Sequence, residues 1–396
     1  MEMFKIKKLK IGIFMDSFFP NVDGVVMVID NLAKCMSKFA EVTVVVPYNE
    51  SVVEDENRPY RVIRIKSIHL PTTEYRVALP VAKHSKVFQK LLHEKFDVIH
   101  IHSPFTIGKL GIRVARELNV PVIATMHTRF DFEFRKYMKS ELFVKLAIRV
   151  IIKVFNQCDR GISVNKAIGR VFKEYGYKEE PLAMYNGTDM KIVQDGQEAI
   201  QKVNQLYRIE QNENVFLFVG RITEIKNIFF ILDVLKILKE KEQKFKMLYV
   251  GTGPDEEKLK RKVLEMKLDK EVILCGKIMD RELLKSIYYR ANLFLFPSLF
   301  DASSLVQIEA ASQKTPGIFI EGAITADTIT NNENGYTAPN DAIQFANRVV
   351  EILENKELYH VVCENAHNQL AKSWEEIAKE TCELYQQEII KKQKGM

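Results

Sequence analysis

Two carboxylic acids, Asp301 and Glu309, stand eight positions apart where an apolar run ending at Pro297 gives way to a short polar loop and then to 305–311, which reads as helix. A strand, a tight turn and a helix in that order leave the first helical amides, those of Ser303, Ser304 and Leu305, free to receive an anion. Glu309 falls about one turn further in, where a carboxylate can accept from the hydroxyls of a ribose. The same pattern also fits an ordinary strand-to-helix junction with an acid near the helix start.

Other residues of chemical interest stand where apolar runs end. Gly220-Arg221 closes one such run, and Lys226 follows five positions after the arginine. Gly251-Thr-Gly-Pro254 closes the next. Gly24 stands just ahead of a helix, where a residue without a side chain lets backbone approach a ligand at the helix N-terminus. Neither glycine turn completes the three-glycine dinucleotide fingerprint, so a nicotinamide cofactor is not predicted. His100 and His102 alternate onto one face of a strand, and His127 ends the next one. No third ligand stands at metal-binding spacing, so no metal site is predicted.

The elements that position these residues alternate along the whole chain. Strands are expected at 10–15, 41–47, 60–65, 98–102, 120–125 and 160–164, with helices between them. A polar stretch at 190–212 reads as linker, after which strands recur at 215–221, 246–250, 272–274, 293–297 and 317–320. This β-α alternation predicts two doubly wound, Rossmann-like parallel sheets, whose ligands bind beyond the carboxyl ends of the strands. A long amphipathic helix, 374–391, ends the chain with no strand after it. It begins at Trp374, the only tryptophan.

Composition narrows the class. A chain of 396 residues with 46% apolar and 28% charged residues is a globular protein too long for one ordinary core. The basic start leads into an apolar run of only 11–15, which predicts neither a signal peptide nor a membrane span. Five cysteines lie scattered without a C-x-x-C pair and read as reduced core residues of a cytosolic protein. The net charge of +6 favours acidic ligands or an anionic surface and does not call for nucleic acid. Segment 129–157 concentrates seven Lys or Arg against three acids. Within it Leu142, Phe143, Leu146, Val150, Ile151, Val154 and Phe155 form an apolar stripe, with Lys145, Arg149 and Lys153 four apart. Such a helix can pack on its own domain with a solvated basic edge, or lie on an anionic bilayer.

Taken in order, Phe19-Pro-x-Val-x-Gly24, His127, Asn186-Gly-x-Asp189, Gly-Arg221-x4-Lys226, Gly251-Thr-Gly-Pro254, Asp301-x7-Glu309 and Trp374 resemble the retaining GT-B glycosyltransferases of family 4 over nearly the whole chain. The layout is similar to diacylglycerol glucosyltransferases and related mannosyltransferases. The resemblance implies an N-terminal acceptor-side domain at 1–195, a nucleotide-sugar-binding domain at 196–371 facing it across a cleft, and a helix at 372–396 crossing back to the first domain. It implies metal-independent transfer of a hexose, glucose above others, from a UDP-sugar. Arg221 and Lys226 would meet the leaving diphosphate with the amides of Gly24, Gly251 and the helix start. Glu309 would hold the ribose, Asp301 would contact the donor sugar, and His127 would lie near sugar and acceptor.

By the same resemblance no cofactor is expected beyond the donor substrate. The acceptor is expected to be lipid-linked or membrane-resident, which would make the protein cytoplasmic with peripheral contact through helix 139–155. A soluble or polysaccharide acceptor, or a catalytically silent nucleotide-sugar-binding subunit, are the alternatives. The chain departs from the family in having Asp301 in place of a glutamate and Ala302-Ser303-Ser304 in place of Gly-Phe-Gly. The shorter acid and the missing glycines alter the edge that meets the donor sugar.

Overall fold

The inner strands of both large sheets are largely apolar runs such as Leu293–Phe296, buried as parallel strands covered on both faces require, while the outer strands Arg61–Ile65 and Val272–Gly276 are only partly buried. The computed structural model describes residues 8–21, 23–50, 55–70, 76–302 and 304–395. It divides into two units, Met1–Asn186 with Trp374–Met396, and Gly187–Ser373.

Among the described residues, the first unit holds a seven-stranded parallel sheet. Its order is Arg61–Ile65, Glu41–Pro47, Lys10–Phe14, Val98–Ile101, Val122–Met126, Arg160–Ser163 and Leu182–Ala183. The order reverses between Lys10–Phe14 and Val98–Ile101, the switch point of a doubly wound sheet. A short antiparallel pair, Ser67–His69 with Arg76–Ala78, lies outside this sheet. Helix Trp374–Gln393 belongs to this unit and packs on helix Gly24–Met36. Its Tyr385 is fully buried and bonds His100.

The second unit repeats the design with six parallel strands among the described residues. They run in the order Val272–Gly276, Phe245–Val250, Asn214–Val219, Leu293–Phe296, Gly317–Ile320 and Tyr336–Ala338. Here the switch point lies between Asn214–Val219 and Leu293–Phe296. Both sheets are therefore Rossmann-like.

The stretch 190–212 is not a bare linker. It contains helix Gly196–Tyr207, capped by Asp195, whose side chain accepts from the amides of Gln197 and Glu198. The helix buries only Ala199 and Val203, against helix Arg281–Arg290, and so carries little periodic signal. The division between units falls at Asn186/Gly187 and not at 195/196. Gln313 accounts for this by accepting from the Val193 amide and donating to the Lys191 carbonyl, each at 3.0 Å.

The basic helix also differs from expectation. Helix Glu141–Phe155 buries Val144, Ile148, Ile151, Ile152, Val154 and Phe155. Leu142, Phe143, Leu146 and Val150 face outward, exposed by 73%, 61%, 54% and 51%. The apolar stripe is thus split between core and surface, because a helix apolar all round but for one basic row gives no narrow stripe from which to choose a face.

Candidate active site

The loop after strand Asn214–Val219 ends in a single 3-10 turn, Glu224–Lys226, closed by Asn227 in the left-handed region at φ 58°. The Asn227 side-chain amide donates to the Pro297 carbonyl at 3.3 Å and so draws this loop to the one after strand Leu293–Phe296. The result is an ion pair between Lys226 and Asp301, each side chain 22% exposed. It sits beyond the carboxyl ends of the two strands at the switch point, where ligands bind in such sheets. Asp301 uses Oδ1 for the lysine, while Oδ2 is buried without a hydrogen-bond partner among the described residues. Arg221, in the same loop, is exposed and enters no ion pair or hydrogen bond among the described residues.

Helix Leu305–Ser312 follows. Ser304 occupies its N-cap in extended conformation, and no side chain among the described residues caps the helix. The amides of Ser304 and Leu305 thus stand at an uncapped, positive helix end. Ser303 lies outside the described residues. Gly251 has φ +132°, and its amide donates to the Gly276 carbonyl at 2.8 Å. It shapes the turn and has no amide to spare for an anion.

Glu309 is deeply placed, its side chain 14% exposed, and both of its oxygens already accept a hydrogen bond. Arg281 donates to Oε1 and the Tyr288 hydroxyl to Oε2, each at 3.0 Å. Burial pushes the Glu309 carboxyl above the ordinary carboxylate range, against the pull of Arg281. The other arm of Arg281 reaches Asp189. Asp301 and Glu309 therefore form two separate centres, each with its own cation.

Arg281 and Tyr288 escape a reading of the sequence because Arg281 is 28 positions from Glu309 and 92 from Asp189. One signal exists. Arg281 is the first residue of helix Arg281–Arg290, where the helix dipole disfavours a cation unless something else holds it.

The remaining expected residues lie in the first unit. Gly24 begins helix Gly24–Met36, capped by Asp23 through the Val26 amide. His127 Nε2 and His102 Nδ1 share a hydrogen bond of 2.8 Å. The His102 ring lies tilted, with its centre 4.0 Å from that of His100, whose nitrogens bond Tyr385 at 2.6 Å and Thr125 at 2.7 Å. Among the described residues no group of three or more His, Cys, Asp or Glu is placed to hold a metal ion.

The histidines have a consequence for stability. Burial pushes His100 down to about 3, and His102 well below its usual value. Both are then neutral when folded at neutral pH, and the folded state binds fewer protons than the unfolded chain. Their stabilisation is complete above about pH 6.5 and is lost as pH falls toward 3. Each histidine contributes up to about 1.4 kcal/mol per pH unit in that window. Denaturant unfolding followed by emission of Trp374, buried in the same unit, should show a lower midpoint at pH 5 than at pH 7.5. His100→Gln should flatten the dependence. A slope unchanged by the substitution would show that other groups carry the acid sensitivity.

Residues 22–191 match the family described as Glycosyltransferase Family 4, and residues 200–369 match Glycosyl transferases group 1. The alpha-monoglucosyldiacylglycerol synthase of Acholeplasma laidlawii is 24% identical over 97% of this chain and 98% of its own length. The protein of the same name from Streptococcus pneumoniae is 26% identical over 78% of this chain and 70% of its own. Among solved structures, Anabaena HepE in complex with UDP superposes with a TM-score of 0.76 at 15% identity, covering 96% of this chain and all (100%) of that one. That likeness shows the fold.

Proposed function

The chain belongs to the GT-B glycosyltransferases of family 4, and from that premise we propose that it transfers glucose from UDP-glucose to a lipid-linked or membrane-resident acceptor, with retention at the anomeric carbon. The observation that carries the donor reading is the meeting of Lys226 with Asp301 at the switch point of the second unit, beside the unpaired Arg221. As the bond from the anomeric carbon to the diphosphate breaks, charge grows on the leaving phosphate. Arg221 and Lys226 stabilise that charge without requiring a metal. The acceptor hydroxyl attacks from the face the diphosphate leaves, and its proton passes to a leaving phosphate oxygen. The partnerless Oδ2 of Asp301 is the acceptor for a sugar hydroxyl. Glu309 receives the ribose, and the uncapped helix start with Ser304 and Leu305 faces the phosphates.

The acceptor reading rests on helix Glu141–Phe155. Its outward Leu142, Phe143, Leu146 and Val150 are interleaved with exposed Lys139, Lys145, Arg149 and Lys153, whose charged heads enter no ion pair among the described residues. Nearby Arg129 and Arg135 are instead neutralised by Asp131, and Arg135 also by Glu141. Apolar residues flanked by free cations suit the interface of an anionic bilayer. No helix among the described residues is long and apolar enough to cross one. Two relatives named as alpha-monoglucosyldiacylglycerol synthases support the lipid class.

The test is transfer of labelled glucose from UDP-glucose in the presence of vesicles containing phosphatidylglycerol and diacylglycerol. Labelled lipid is the expected product. Label found only on a soluble acceptor overturns the lipid reading, and no thermal stabilisation by any UDP-sugar overturns the donor reading. In flotation, the triple charge reversal of Lys145, Arg149 and Lys153 to Glu should release the protein from anionic vesicles, on the scale of about 1 kcal/mol for each cation lost. Unchanged flotation would place the contact elsewhere.

A further inference from the structure

The Glu309 carboxylate offers about four lone-pair positions, of which Arg281 and Tyr288 take two, one on each oxygen. One position therefore remains free on each oxygen, which is the number that two vicinal hydroxyls need. The direction in which those positions point is set by what grips the carboxylate from behind. Tyr288 is completely buried, and its own carbonyl accepts from Thr315 at 2.5 Å, so its hydroxyl is a fixed donor. Arg281 is half exposed, and its second arm is held by Asp189. A guanidinium is the side chain that can serve two carboxylates from one rigid plane.

We propose that Arg281 is a positioning residue for nucleotide recognition, holding Glu309 from behind so that its free lone pairs face both hydroxyls of the ribose, with Asp189 fixing the guanidinium plane. This deepens the donor reading and rests on it. Asp189 and Arg281 are well exposed, so their pair supplies orientation and little net stability. Arg281 also pulls the Glu309 carboxyl down against the effect of its burial, and a carboxylate that took a proton would lose an acceptor position.

The experiment is titration calorimetry of UDP and 2′-deoxy-UDP against the full chain and its Arg281→Gln, Arg281→Lys and Glu309→Gln variants. The ratio of the two affinities cancels effects on the diphosphate. The unaltered protein should prefer UDP by about tenfold or more, the scale of a hydrogen bond to a charged group. Glu309→Gln should bring the ratio close to one. Arg281→Gln should reduce it severalfold. Arg281→Lys, which keeps charge but not the plane, should fall between. A ratio in Arg281→Gln equal to that of the unaltered protein, with Glu309→Gln still abolishing it, would overturn the role of Arg281 and leave the donor reading standing. A ratio near one in the unaltered protein would overturn the ribose reading of Glu309 and this proposal together.

Discussion

Replacing Lys226 by methionine should lower kcat by about 10²- to 10³-fold, while binding of the uncharged part of the donor is largely kept. A cation that meets charge developing on a leaving group in a preorganised site contributes about 2–4 kcal/mol to the transition state, and less to the ground state. Lys226 is held for such a role. It lies at the end of a 3-10 turn, anchored through Asn227 to the neighbouring loop. The aliphatic stem survives in methionine, while the ammonium over Phe296, 5.8 Å from its ring centre, is lost with the charge. Before donor binds, Lys226 is paired with Asp301, and the diphosphate must take it over. Lys226→Met therefore also leaves Asp301 as a half-buried carboxylate without its cation. The double variant Lys226→Met/Asp301→Asn separates the two effects. Rates should remain low in the double variant if the lysine acts on the leaving group, and should recover if the single variant suffers only from the orphaned acid. Single-turnover rates from labelled UDP-glucose decide between them. A kcat within about threefold of normal in Lys226→Met would mean that the leaving charge is met by other groups, Arg221 first among them.

The strands are legible in the sequence because parallel strands covered on both faces are unbroken apolar runs, and their alternation with helices fixes the doubly wound order of both sheets. Asp301 and Lys226 are legible as residues that follow such runs, and the sheet order then carries both to one switch point. Helix Gly196–Tyr207 is hidden because two buried residues do not make a period. Strands Leu182–Ala183 and Tyr336–Ala338 are too short to stand out. The grip of Arg281 on Glu309 depends on the packing of two helices whose contact leaves no trace in local spacing. The outward apolar face of Glu141–Phe155 is hidden for the opposite reason, since the helix is apolar on every side but its basic row and only packing shows which residues stay outside.

Gly251 is a glycine whose substitution should do damage on two counts. Its φ of +132° is a backbone conformation that side-chain-bearing residues rarely adopt. A Cβ built there would lie 1.9 Å from the Gly220 carbonyl oxygen, a contact with rigid backbone that no rotamer change relieves. The loop that would have to move is the one carrying Arg221 and Lys226. It is laced to the Gly251 turn by Ile222 donating to Thr252 at 3.0 Å, Asp255 donating to Ile222 at 3.2 Å, and the Glu224 amide donating to the Asp255 carboxylate at 2.7 Å. Gly251→Ala should destabilise the second unit by about 3–4 kcal/mol, as backbone strain and a core clash together do. For a unit of this size that is a fall in melting temperature on the order of 10 °C. Nucleotide binding should be lost with it, because both cations are displaced. Gly24→Ala is the matched comparison, since nothing lies within 4 Å of a Cβ there and the residue begins a helix, so stability should hold or rise slightly. Calorimetry of the two variants with and without UDP makes the measurement. A Gly251→Ala protein that melts normally and still binds UDP would show that the two loops can separate without harm, and that Arg221 and Lys226 are not positioned by the turn behind them.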